Sequence, residues 1–247
     1  MGQEHLRNIA LLGNTAVTLI YEPDDQMAAI SLGLAKSARR AKNLNEVVMS
    51  KEVDCLVITS PNFRHFEQLK EIAKLRQLPI LLEKPACTSL EQVHELAAFS
   101  KYYSAPLWVA MEYRYMPPIA KLTQEVHSQR NTGPVTLISI REHRFPFLKK
   151  VGDWNRFNQY TGGTLVEKCC HYFNLMDLVL GEHATKVYAT GGQSVNFLNE
   201  SYDGKPADML DSAFVILEYA SGKRAMLDLC MFGEGSYDKE IFTVVGD

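Results

Sequence analysis

The chain has little of what marks specialised proteins. No C-x-x-C pair occurs, and the five cysteines, Cys55, Cys87, Cys169, Cys170 and Cys230, are an odd number in 247 residues. Neither a disulfide scaffold nor a zinc knuckle is signalled. No block of like charge occurs either. The 26 basic and 29 acidic residues are scattered and leave a formal charge of -3, so no nucleic-acid face and no polybasic membrane patch is implied. An apolar run long enough to cross a bilayer, a signal peptide, a lipidation motif, an internal repeat and a low-complexity tract are all missing. These absences leave a soluble, cytoplasmic protein of a reducing compartment, with neither nucleic acid nor membrane as a partner. What remains is an ordinary globular composition, 46% hydrophobic and 22% charged, long enough for one large domain or two modest ones. Cys55 and Cys230 sit in apolar runs and read as buried thiols. Cys169, Cys170 and His171 are consecutive on an expected helix and so diverge rather than converge on an ion. No metal is expected.

Along the chain, residues 1–12 read as a helix ending at Gly13, and residues 16–21 as a strand followed by Glu22-Pro23-Asp24-Asp25. A helix over 25–36, a polar connector over 37–43 and a short helix over 44–50 come next. Residues 53–60 form a nearly continuous apolar run, the pattern of a strand covered on both faces. Pro61 opens a helix with apolar positions at Phe66, Leu69, Ile72 and Leu75. A second buried strand over 79–82 precedes Glu83-Lys84-Pro85, Thr88 or Ser89 caps another helix, and a strand over 105–111 closes the series. Strictly alternating helices and strands predict a doubly wound parallel sheet of the Rossmann type over 1–111, with ligands at the carboxyl ends of its strands. The tips are Glu22, Ser60-Pro61-Asn62, Glu83-Lys84-Pro85 and Glu112-Tyr113-Arg114. From Gly133 the texture changes to strands over 135–142, 186–189, 212–219, 224–232 and 241–245. An irregular loop over 145–160 and one helix lie among them. Residues 112–247 are therefore expected to be an α+β domain with a mostly antiparallel open sheet.

The one helix of this second half begins at Thr161-Gly162-Gly163-Thr164 and runs to Gly181. Glu167 and His171 are four apart, so on a continuous helix their side chains share a face. A carboxylate beside an imidazole fixes the tautomer of a proton-transfer group, although an ordinary helical ion pair has the same spacing.

With these pieces placed, the sequence resembles the glucose-fructose oxidoreductase, inositol dehydrogenase and rhizopine-catabolism family, written Gfo/Idh/MocA. Glu83-Lys84-Pro85 looks like the family's E-K-P, Ser60-Pro61-Asn62 with His65 like its strand-end P-x-x-x-H segment, and Gly162-Gly163 through His171 like its G-G…D-x-x-x-H helix. Glu167 stands where relatives more often carry aspartate, which preserves the carboxylate, and Asn174 where many have aspartate. Relatives begin with a further strand and G-x-G-x-x-G, of which Met1-Gly2 resembles only the tail, and they continue beyond Asp247. The chain is thus expected to be a member cut at both ends, with the strands numbered 2 and 4 in the family's order 3-2-1-4-5-6 left with unpaired edges and with weak or no binding of NAD.

The resemblance implies hydride transfer between NAD and a carbinol carbon of a sugar, polyol or related small molecule. His171 becomes the general acid/base, Glu167 the group that orients it, and Lys84 the ammonium that binds the substrate oxygen. Lys84 and His171 are expected to face one another across a shared cleft. Gly2, Glu22, Ser60, Pro61, Asn62, His65, Glu83 and Lys84 are the cofactor-binding candidates. Glu22 favours NAD over NADP, because a carboxylate hydrogen-bonds a ribose 2′-hydroxyl and repels a 2′-phosphate. Tyr113, Arg114, Trp154, Asn155, Arg156 and His171 are candidates for the substrate pocket, since sugars stack on aromatic faces and bond amides. Duller readings stay open: Lys84 as an exposed strand-end lysine, Glu83 as the partner of a helix, Trp154 as core and Arg156 as surface charge. A non-catalytic binding or regulatory protein is the competing reading, a zinc- or cysteine-dependent enzyme a remote third. A homo-oligomer through the open sheet of the second domain is expected.

Overall fold

The computed structural model describes all 247 residues, and the chain divides into two units, Met1–Ala110 and Met111–Asp247. The first unit runs α1 Gly2–Ala10, β1 Leu19–Ile20, α2 Asp25–Leu34, β2 Arg39–Arg40, α3 Leu44–Met49 and β3 Leu56–Ile58. A 3-10 turn at Asn62–Arg64 follows, then α4 His65–Leu75, β4 Ile80–Leu82, α5 Leu90–Phe99 and β5 Leu107–Val109. Three helices start where short polar side chains satisfy otherwise unbonded backbone donors. Asp24 accepts from Met27 N, Asn43 from Glu46 N, and Ser89 from Gln92 N. Leu56, Ile58, Ile80 and Leu82 are buried with Phe66, Leu69, Ile72 and Phe99 in one core.

Every strand pairing in this unit is parallel, as the alternation of elements requires. The strands nevertheless form two ladders rather than one sheet: β1 pairs with β2, and β3, β4 and β5 form a three-stranded sheet. β2 is a correction to the sequence reading, which left Arg39 and Arg40 in a polar connector. Both side chains are exposed, so the strand has no apolar pattern to announce it. Cys55 is a second correction. It lies just before β3, outside the buried ladder, and is exposed.

The second unit opens with a 3-10 turn, Glu112–Tyr115, and α6 Pro117–Ser128, then β6 Val135–His143 and a 3-10 segment Val151–Arg156. The short helices α7 Asn158–Thr161 and α8 Thr164–Glu167 lead to α9 Cys170–Leu180. The remaining strands are β7 Ala184–Gly192, β8 Ser201–Tyr202, β9 Lys205–Pro206, β10 Ser212–Tyr219, β11 Arg224–Cys230 and β12 Glu240–Gly246. The main sheet has the order β12-β6-β11-β10-β7, with only β6 and β11 parallel. Strand alternation decides its faces. Ile138 and Ile140 of β6, Ala213, Val215 and Leu217 of β10, and Ala225, Leu227 and Leu229 of β11 are buried with Tyr172, Leu175, Met176 and Val179 of α9. The opposite face leaves Leu137, Phe214, Ile216, Met226 and Val245 exposed.

Several elements differ from the sequence reading, the small β8–β9 ladder among them. α6 went unrecognised, although Pro117-Pro118 at its start and the spacing of Ile119 and Val126 on its buried side are ordinary helix signals. The loop over 145–160 contains the Val151–Arg156 segment and α7. The helix over 164–180 is two helices, because Lys168 (φ -99, ψ -47) and Cys169 (φ -85, ψ -4) interrupt it.

Candidate active site

In the first unit, several candidate cofactor-binding residues occupy the ends of elements. Gly2 begins α1, and a Cβ there would stand 2.9 Å from Thr59 Oγ1, so glycine permits the close approach of helix and strand end. Glu22 follows β1. Its Oε1 accepts from Asp24 N at 2.9 Å, and its backbone carbonyl accepts from Arg40 Nε at 3.1 Å and Nη2 at 2.8 Å. Arg40 also pairs with Asp25 at 2.7 Å. Beyond β3, Ser60 Oγ donates to Gln68 at 2.6 Å, and Pro61 leads into the turn that begins at the buried Asn62.

His65 starts α4 and is 1% exposed. Its Nδ1 lies 2.7 Å from the Pro85 carbonyl and its Nε2 2.8 Å from the Ser60 carbonyl, so one ring ties the tip of β3 to the tip of β4. Burial holds this imidazole below the usual histidine range, and the two carbonyls and Glu83 oppose that shift. Glu83 is 4% exposed and meets His5 Nε2 of α1 at 2.7 Å. Burial raises its carboxyl, but the His5 bond and the Lys84 charge prevail and hold it below the usual range. The half-buried Lys84 follows, joined to Pro85 by a cis peptide. Glu83 thus does pair with a helix, through a histidine to which the sequence reading assigned no role.

In the second unit, Gly162 (φ 80, ψ 4) and Gly163 (φ 88, ψ 164) take conformations that side chains disfavour, and so turn the chain from α7 into α8. Glu167 ends α8 and His171 lies in the first turn of α9; both are buried. Lys168 and Cys169, between the two helices, keep right-handed helical angles, and Glu167 and His171 stand four apart on either side of them. Two groups at the imidazole come from the turn before α6. Glu112 Oε1 is 3.4 Å from His171 Nε2, and the Tyr113 ring stacks on the His171 ring at 4.5 Å and 10°. Arg114 Nε donates to Asn174 Oδ1 at 2.5 Å, on α9.

Beside this pair lies a charge cluster that the sequence reading missed. Glu142 continues the inward positions of Ile138 and Ile140 on β6, so its carboxylate enters the core side of the sheet. Glu240 is its register partner on β12. Lys168, between α8 and α9, sits 3.2 Å from Glu142 Oε1 and 3.9 Å from Glu240 Oε1. It donates to Tyr113 Oη at 2.7 Å, while Tyr113 donates to Glu240 at 2.8 Å. Burial lowers the Lys168 ammonium and raises the Glu142 carboxyl, and each partner opposes the other's shift. Burial, then Glu240, drives the Tyr113 phenol upward. The alternation of β6 was a usable signal: a glutamate at an inward position demands a buried cation.

The remaining pocket candidates lie in the Val151–Arg156 segment. Trp154 is half-buried, and Asn155 is fully buried and donates to the Leu148 carbonyl at 2.9 Å. Arg156 is 5% exposed; it donates to Tyr202 Oη at 3.0 Å, with its guanidinium 4.0 Å from the Phe197 ring. Asn155 and Arg156 thus stand within the packing of this segment, and Tyr113, Arg114 and His171 are brought together.

Residues 1–111 match the oxidoreductase family described by its NAD-binding Rossmann fold, and residues 128–247 match the C-terminal alpha/beta domain of the same family, Gfo/Idh/MocA. The chain is 24% identical over 243 residues to the uncharacterized oxidoreductase YrbE of Bacillus subtilis (strain 168), covering 98% of this chain and 67% of that protein. It is 25% identical over 241 residues to the inositol 2-dehydrogenase of Rhizobium meliloti (strain 1021), covering 98% and 69%. A levoglucosan dehydrogenase solved with NADH and levoglucosan superposes with a TM-score of 0.78 at 16% identity, covering 99% and 66%. The chain spans about two thirds of the length of these proteins, and the last of them bears on the fold alone.

Proposed function

The chain belongs to the Gfo/Idh/MocA oxidoreductase family, and on that premise we propose that it transfers a hydride between NAD and a carbinol carbon of a sugar, polyol or related small molecule. The observation that carries the proposal is the setting of His171: a buried imidazole in the first turn of a helix, stacked on Tyr113, with a carboxylate at Nε2. When bound, NAD supplies the ring that takes the hydride. As the carbon loses hydride its hydroxyl becomes a carbonyl and releases a proton, which His171 accepts; in the reverse direction His171 returns it. Lys84 binds the same oxygen and stabilises its negative charge as the proton departs. Glu167 is kept as a residue that positions His171, and Glu112 joins it. Tyr113, Arg114, Trp154, Asn155 and Arg156 remain the proposed pocket residues.

The residues at the strand ends fit a dinucleotide. Gly2 opens a helix at a point where a Cβ would collide with Thr59, the close approach that such folds use beside a pyrophosphate. Glu22 stands where a ribose hydroxyl binds, which favours NAD over NADP, and Ser60, Pro61, Asn62, His65 and Glu83 build the neighbouring rim. The second unit's open sheet, with Phe214, Ile216 and Met226 exposed, is the proposed face for a homo-oligomer.

The second reading is a fold-retaining binding or regulatory protein. Calorimetric titration with NAD, followed by NADH absorbance against a panel of inositols and sugars, separates the readings. Binding with turnover supports the dehydrogenase; no heat and no NADH with any member of the panel leaves the binding protein.

A further inference from the structure

We infer that Tyr113 is a positioning residue that fixes the imidazole of His171, and that Lys168, Glu142 and Glu240 form the anchorage that holds Tyr113. The inference rests on the reading of His171 as the acid/base group.

Three consecutive residues of one turn address α9. Glu112 reaches His171 Nε2 at 3.4 Å, the Tyr113 ring lies against the His171 ring, and Arg114 bonds Asn174. The middle contact is the restrictive one. Rings 4.5 Å apart and 10° from parallel leave the imidazole little room to turn about its own axis, because rotation drives its edge into the phenol face. A stacked ring can do this only if it is itself immobile. The Tyr113 hydroxyl is held from two sides, accepting from Lys168 Nζ at 2.7 Å and donating to Glu240 Oε1 at 2.8 Å. Glu240 in turn accepts from Tyr172 Oη at 3.1 Å, and Lys168 is fixed by Glu142 at 3.2 Å. The chain of contacts therefore runs from the floor of the sheet to the face of the imidazole.

Stability alone does not account for this arrangement. Glu142 occupies an inward strand position next to Ile140, where an aliphatic side chain would pack without desolvating an ion pair, and such replacements are commonly neutral or stabilising. A phenylalanine at 113 would fill the same volume. Charged groups and a hydroxyl where apolar ones would fold equally well fit a requirement for exact orientation, and misplacing a reacting group by about 1 Å costs on the order of a hundredfold in rate.

The test compares Tyr113→Leu, Tyr113→Phe and Lys168→Met in the whole chain. The His171 ring resonance is identified among the seven histidines by its loss in His171→Asn. Proton NMR should find that resonance shifted upfield in the unsubstituted protein by the phenol ring current. Tyr113→Leu should abolish the shift and lower kcat by about tenfold to a hundredfold while KM changes less than about threefold. Tyr113→Phe and Lys168→Met keep the ring but free it, so the shift should shrink and kcat should fall by less. A His171 resonance and kcat unchanged in Tyr113→Leu would overturn the inference. Should that variant not fold, an unchanged resonance in both Tyr113→Phe and Lys168→Met overturns it instead. Hydride transfer absent from the unsubstituted protein, with the ring-current pattern as expected, defeats the dehydrogenase reading and leaves the positioning contact standing.

Discussion

Lys168 Nζ lies 3.2 Å from Glu142 Oε1 at a place where the two side chains are 9% and 2% exposed. One ion pair is thus nearly sealed between the helix layer and the sheet. Single and double substitutions should separate its cost from its worth. Lys168→Met leaves the buried Glu142 carboxylate with Arg144 Nη1, at 3.2 Å, as its remaining cation and should lower unfolding free energy by about 1.5–3 kcal/mol, whereas Lys168→Met with Glu142→Leu should recover part of that loss. Urea unfolding measures both. The single variant also has a defined pH dependence. Burial already raises the Glu142 carboxyl and Lys168 opposes it, so without Lys168 the folded-state pKa rises further above the unfolded value. The folded variant then binds a proton that the unfolded chain releases. Its deficit should be smallest in acid and should grow as pH rises through the folded-state pKa.

Glu83 carries the opposite sign. His5 and Lys84 hold its carboxyl below the usual range against burial, so it contributes stability above the unfolded carboxylate pKa that disappears as pH falls through the folded one. His5→Leu removes the largest opposing contact and leaves burial in charge. The variant should lose about 1.5–3 kcal/mol at neutral pH, and its acid unfolding should begin at higher pH. Denaturant titrations across a pH series check both, and an unchanged acid limb would contradict the assignment.

Cofactor choice should follow Glu22. Its backbone carbonyl already holds the Arg40 guanidinium, so a cation stands ready beside the carboxylate. Glu22→Ser should lower the ratio of kcat/KM for NAD over NADP by about tenfold or more, since it removes the group that repels a 2′-phosphate. Paired kinetics with the two cofactors read this directly.

The open sheet should be an interface between copies. Ile216 is flanked in register by Tyr188 and Met226, and all three are exposed. Ile216→Glu places a charge at the centre of that row. Sedimentation should show an assembly in the unsubstituted protein and a monomer in the variant, with no loss of secondary structure by circular dichroism.

Much of this architecture was legible because its signals are local. The buried runs before Ser60 and Glu83 declared parallel strands, Ser89 declared a helix start, and the runs over 212–219 and 224–232 declared strands of the second sheet. What escaped depends on tertiary structure. β2 consists of two exposed arginines whose only strand property is pairing with β1. The break at Lys168 has no proline or glycine to announce it, and it places Glu167 and His171 in different helices. The resemblance to a known family drew attention to His171, but Tyr113 and Glu112 reach it, and Lys168 reaches Tyr113, through folding of the second unit. No spacing in the sequence joins them.

The central claim is that His171 carries the substrate proton, and kcat/KM for sugar or polyol oxidation in His171→Ala beside the unsubstituted protein tests it most directly. His171→Ala should lose about 10²–10⁴ in rate. A variant that keeps the rate would contradict the account.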